Sequence, residues 1–113
     1  MALPHARPLD VIDLKPGDSP SDPGVSRSIL KTDRLQLMRL VLTADQDIPE
    51  HTMPGEILVQ CLSGEIDLVT RDQWSRLVAG QLVVVPAGTA YRMQAHRDSV
   101  MIMTVVRTPA PGA

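Results

Sequence analysis

The side chains able to do chemistry in this chain are few and widely spaced. Histidines stand at 5, 51 and 96, the single cysteine at 61, the single tyrosine at 91 and the single tryptophan at 74. The stretch EHTMPGEILVQCLSG, residues 50–64, sets His51 two positions before Met53, and AYRMQAH, residues 90–96, sets Tyr91 two positions before Met93. On a strand, residues two apart share a face, so each pair projects to one side. An imidazole and a phenol within hydrogen-bond reach of a substrate serve as general base and general acid. The same two groups also suit a pocket that holds a small molecule by a few polar contacts in an apolar lining. His51, Met53, Met93 and Cys61 form a soft donor set of the kind Cu(I) takes. The stronger reading of these methionines and the thiol is flexible core filling in a chain that has no phenylalanine. Cys61 has no cationic neighbour in sequence to activate it, and Ser63 and Ser75 lack the surroundings of a nucleophile. His96 falls on the face of its strand opposite to Tyr91 and reads as a surface histidine, while His5 lies in an N-terminal arm.

The elements that must position these residues are strands. A length of 113 residues fits one domain with one core. Residues 1–27 are rich in proline, glycine, serine and aspartate and read as an arm, in which VIDL at 11–14 suits an added edge strand. From residue 28 to 107 short apolar runs alternate with turn residues about every ten positions, the spacing of an all-β barrel or sandwich. RLQLMRLVL (34–42), EILVQCL (56–62), EIDLVT (65–70), AYRMQAH (90–96) and SVMIMTVVR (99–107) read as strands. Ser63-Gly64 is expected to be a hairpin turn. RDQWS (71–75) is expected to turn the chain, leaving Trp74 to cap the barrel or touch another subunit, and residues 76–88 to give one strand ending at Pro86 and Gly88. Residues 108–113 read as a flexible tail.

Composition removes several function classes. Eleven basic and thirteen acidic residues, interspersed, give a net charge of −2 and no stripe to collect phosphates. With Trp74 and Tyr91 as the only aromatics, there is little for bases to stack on, and nucleic acid is not expected as a partner. MALPHARPLD has prolines and charges where a signal peptide needs an apolar run, and no segment approaches membrane-spanning length. One unpaired cysteine calls for no oxidising compartment. A cytoplasmic location follows as an expectation.

GQLVVVPAGTAY, with Gly80, Pro86 and Gly88, and HTMPGEILVQCLSGE, with His51 and Gly64, resemble the two motifs of the cupin superfamily. The first motif runs G-x5-H-x-H-x3or4-E-x6-G and the second G-x5-P-x-G-x2-H-x3-N. The resemblance spans residues 28–107 and implies an RmlC-like, double-stranded β-helix or jelly-roll barrel. Asp45 stands where the first motif has its glycine, and aspartate tolerates the left-handed turn geometry. The resemblance also implies a metal held by two histidines, a glutamate and a third histidine. In this chain those four positions carry His51, Met53, Ile57 and Tyr91. Glu56 is one place off register and points away from the interior if Ile57 points in. No metal and no other cofactor is therefore expected. The reading that follows is a small-molecule-binding or sensing cupin, its organic ligand held by His51 and Tyr91 among Met53, Ile57, Val59, Cys61 and Met93. The alternatives are a metal-free epimerase or isomerase with His51 as base and Tyr91 as acid, a pairing that resembles some deoxysugar epimerases of the superfamily, or a metal-dependent cupin with an atypical site. Leu58, Leu62 and VMIMTVV (100–106) put apolar residues on both faces of their strands, so the outer face needs a cover, from the arm or from a second copy in a homodimer.

Overall fold

Alternation of apolar and polar residues over most of residues 26–107 is resolved, in a computed structural model describing residues 7–14 and 26–107, as strands packed in two layers. Among the described residues there are nine strands and no helix: β1 (Ser26–Lys31), β2 (Leu35–Leu42), β3 (Asp47–Thr52), β4 (Ile57–Ser63), β5 (Glu65–Thr70), β6 (Trp74–Val78), β7 (Leu82–Val85), β8 (Ala90–Ala95) and β9 (Ser99–Val106). A five-stranded sheet runs β1-β2-β9-β4-β7 and a four-stranded sheet runs β3-β8-β5-β6, every pairing antiparallel. This is the jelly-roll expected from the sequence. No helix among the described residues is long and apolar enough to cross a membrane.

The core lies between the layers. Ile57, Val59 and Cys61 of β4 and Met101, Met103 and Val105 of β9 meet Ile66 and Leu68 of β5 and Tyr91, Met93 and Ala95 of β8. Period-two alternation puts each set on one face. Methionine and cysteine take the volume that aromatic rings commonly fill. Side chains of this kind stabilise by roughly 1.5–3 kcal/mol each when fully buried.

Several local expectations change. Ser63-Gly64 is not a hairpin, because β4 and β5 belong to different sheets; it is a corner where the chain crosses between layers. Gly64 has φ of +90°, and a Cβ there would lie 2.2 Å from the Ser99 hydroxyl and 2.5 Å from the Asp98 carbonyl. Ser99 Oγ accepts the Glu65 N–H at 3.0 Å and donates to the Arg97 carbonyl at 2.8 Å, tying this corner to the β8–β9 turn. Residues 76–88 hold two strand segments rather than one, since the chain turns at Ala79 and Gly80 between β6 and β7. Trp74 opens β6 instead of lying in a turn. VIDL at 11–14 forms no strand, and the edge of the larger sheet is taken by β1. Asp45 does adopt φ of +68°. His5, most of the arm and the tail at 108–113 lie outside the described residues.

Candidate functional site

A bulge builds the site. β3 pairs Ile48 with Met93 and then His51 with Tyr91, three residues on one strand against two on the other. In regular register Glu50 would oppose Tyr91; the extra residue, beside Pro49, brings His51 there instead. Residues directly opposite on antiparallel strands share a face, so the imidazole lies over the phenol. The ring centroids are 4.6 Å apart at 50°, and His51 Nε2 stands 2.9 Å from the Tyr91 hydroxyl.

Proton placement follows from the neighbours. His51 Nδ1 lies 3.4 Å from the Pro49 carbonyl, which accepts only, and Tyr91 Oη has the Met103 sulfur at 3.9 Å as its other neighbour. A thioether is a weak acceptor. The arrangement that uses these groups best has Nδ1–H directed at Pro49 O and the Tyr91 O–H donating to Nε2. Tyr91 is wholly buried while His51 is exposed. Burial pushes the Tyr91 phenol above its ordinary pKa, so it is a neutral donor. The exposed imidazole thus links a buried hydroxyl to solvent.

The remaining expected ligand-binding residues divide by depth. Met53 is half-buried at the rim and packs on the core. Ile57, Val59, Cys61 and Met93 are at most 1% exposed and belong to the continuous core cluster. Burial also raises the Cys61 thiol above its ordinary pKa, leaving it a poor nucleophile and a poor ligand at neutral pH.

The donor set does not fit the metal centre that the family resemblance implies. Of the four positions, His51 supplies an imidazole and Tyr91 a protonated phenol, while Met53 and Ile57 supply a thioether and an alkyl group. Glu56 is exposed next to the buried Ile57. Among the described residues no group of three or more His, Cys, Asp and Glu side chains is arranged to hold a metal ion.

A second polar cluster, on the outer face of the four-stranded sheet, was not legible in the sequence. Asp67 of β5 is wholly buried although it points away from the core. Arg76 Nε donates to its Oδ1 at 3.0 Å, and His96 Nε2 donates to its Oδ2 at 2.5 Å. Arg76 Nη1 also lies 4.0 Å from Glu65. Burial pushes the Asp67 carboxyl up, but donation from Arg76, His96 and the Trp74 side chain outweighs it and holds the pKa at about 2. His96 is therefore half-buried and partnered rather than a plain surface residue. The cross-strand register Asp67↔Arg76 could have revealed the pair, but it depends on knowing where the β5–β6 turn falls.

A closed two-layer jelly roll with a histidine–tyrosine pair at its rim defines the class of protein: a small β-barrel of cupin type. Residues 38–107 match the family model for the cupin domain, and the chain belongs to that family. No curated protein matches. Among solved structures, a cupin superfamily protein from Desulfitobacterium hafniense DCB-2 superimposes with a TM-score of 0.73 at 18% identity, over 88% of this chain and 100% of that one. A conserved protein of unknown function from Streptococcus pyogenes gives 0.71 at 24% identity, over 92% and 100%. The DMSP lyase DddQ from Ruegeria pomeroyi DSS-3 gives 0.70 at 20% identity, over 86% of this chain and 53% of that one. At these identities the likeness extends to the fold.

Proposed function

We propose that this cupin binds a small organic molecule at the β3–β8 rim, without the family's usual metal centre, using His51 and Tyr91 as its polar anchors. The observation that carries this reading is the 2.9 Å contact between an exposed imidazole and a buried phenol at two of the four positions where the family's metal ligands converge. Met53 supplies an apolar wall, and the buried residues behind it fix the rim's shape. A ligand able to accept from the phenol or donate to the imidazole replaces the internal hydrogen bond with its own, at little net cost. The cytoplasmic location expected from composition belongs to the same proposal.

The direct coupling of the pair also favours a second reading, metal-free proton transfer with His51 as base and Tyr91 as acid. Against it, His51 is oriented by a backbone carbonyl at 3.4 Å rather than by a carboxylate, a weaker means of fixing the ring. A thermal-shift screen of small metabolites, followed by a turnover assay of each hit with wild type and Tyr91→Phe, separates the two. Binding without turnover supports the binder. Turnover lost with the hydroxyl supports the enzyme. Elemental analysis of protein purified without chelators completes the test: stoichiometric iron, manganese, zinc or nickel that disappears in His51→Ala overturns the metal-free reading.

A further inference from the structure

The two layers meet along two seams. At one, β6 lies beside β7, and residues of both line a single groove. At the other, β3 lies over β2. Tyr91 of β8 reaches Met103 of β9, and β3 and β2 are the next strands on the side away from that groove. The rows of interior residues can therefore be followed from His51 across to the larger sheet.

Those rows lose their cover at the second seam. Ile57, Val59 and Met103, in the middle of the larger sheet, are buried, but Ser28, Gln36 and Met38 on β1 and β2 are half-buried. Register puts all three on the interior face: Met38 stands opposite Met103, Ser28 opposite Met38, and Gln36 opposite the buried Val105. On the facing side Ile48 and Met53 are half-buried and His51 is exposed. An interior face that reaches solvent between β2 and β3 is a mouth of the barrel, and the His51–Tyr91 pair forms one wall of it.

The opposite wall is polar. Gln36 Nε2 donates to Ser28 Oγ at 3.1 Å, which orients the carboxamide and leaves its carbonyl oxygen without a donor among the described residues. Gln36 is the diagonal neighbour of Met103 across the β2–β9 ladder, a separation of about 7–8 Å, and the Met103 sulfur meets the Tyr91 hydroxyl. Carboxamide and phenol are thus set apart by a distance that a small molecule spans. Lys31 stands directly opposite Gln36 in the β1–β2 ladder and so on the same face. It is exposed, and no ion pair among the described residues includes it. No acidic residue occupies an interior register position of β1, β2 or β3.

From these observations we infer that the molecule bound at this mouth is a small carboxylic acid bearing hydroxyl groups along its chain, with its carboxylate at Lys31 and its hydroxyls at Gln36 and at the His51–Tyr91 pair. The inference rests on the reading of His51 and Tyr91 as polar anchors and adds the residues that select among ligands. The roles follow from what each group can give. Lys31 offers a positive charge and donors only, which suits an anion, whereas the free carbonyl oxygen of Gln36 accepts only and suits a hydroxyl. An amine would meet Lys31 with no acid beside it to offset the repulsion. Met38 and Met53 are adaptable, unbranched side chains that can pack against the carbon skeleton.

The test is isothermal titration of the full chain with three probes of one chain length: gluconate, sorbitol, which lacks the carboxylate, and hexanoate, which lacks the hydroxyls. Gluconate is expected to bind tightest. Lys31→Ala, at an exposed position, is expected to weaken gluconate about two- to fivefold, the range of an exposed ion pair, and to leave sorbitol unchanged. That difference should fade in high salt. Gln36→Leu is expected to weaken gluconate and sorbitol alike, about two- to tenfold, and to leave hexanoate unchanged. Failure to bind gluconate overturns the inference, as does sorbitol or hexanoate binding equally well, or a gluconate affinity indifferent to Lys31→Ala or Gln36→Leu. His51→Ala and Tyr91→Phe keep the two readings apart. If these weaken whichever probe binds while the Lys31 and Gln36 variants do not, the anchors stand and the ligand class falls. If gluconate depends on Lys31 and Gln36 but not on His51 or Tyr91, the anchors fall and the inference falls with them.

Discussion

His51 and His96 are held on the two faces of one four-stranded sheet, each giving a ring nitrogen to a partner that is wholly buried. The partner differs. At His51 it is a neutral phenol with one good hydrogen bond and a distant sulfur; at His96 it is a carboxylate that also takes Arg76 and the Trp74 side chain. The neutral pair exchanges partners cheaply, since one hydrogen bond replaces another. The charged cluster does not, because each donor compensates a charge removed from water. One histidine is thus held by a contact open to exchange and the other locks a sheet.

The largest effect should come from the charged side. Asp67→Ala leaves Arg76 and His96 facing each other, and is expected to destabilise the fold by about 3 kcal/mol in urea unfolding, at the low end for a broken buried pair because Arg76 reaches solvent. Acid should give the next largest. The Asp67 pKa is lowered from 3.8 to about 2 on folding, so its stabilisation is complete above the unfolded value and is lost as pH falls from about 4 through 2. The loss is at most about 2 kcal/mol and smaller in high salt, and it should vanish from the pH profile of Asp67→Asn. On the neutral side, His51→Ala strands a buried hydroxyl and is expected to cost about 1–2 kcal/mol, partly relieved if water enters. Tyr91→Phe should cost less, about 1 kcal/mol, because the exposed imidazole it frees turns to solvent. An equal penalty for the two would mean that the phenol is already hydrated and the contrast between the faces is wrong.

Much of the fold could be read from the chain because β2, β4, β5, β8 and β9 each carry enough apolar alternation to announce themselves. β3 does not: DIPEHT is almost wholly exposed, an edge strand whose only half-buried residue is Ile48. The bulge that sets His51 against Tyr91 leaves no periodic trace, so the pairing of these two residues was suggested by the family motif rather than by counting. Ser63-Gly64 looks like a hairpin because a two-residue turn and a corner between layers draw on the same small residues. Asp67 was invisible because a carboxylate between Ile66 and Leu68 reads as a solvated position; only its neighbours' side chains bury it.

The corner at Gly64 bears on how the molecule comes to exist. By sending β4 and β5 into separate layers, it denies them the short-range pairing that would let a hairpin form early. Apart from the β1–β2 and β5–β6 hairpins, the inner pairings are instead β2 with β9, β9 with β4 and β8 with β5, segments far apart along the polymer. Refolding must therefore close long loops before it gains much in return, which places it roughly in the millisecond-to-second range of other β-barrels.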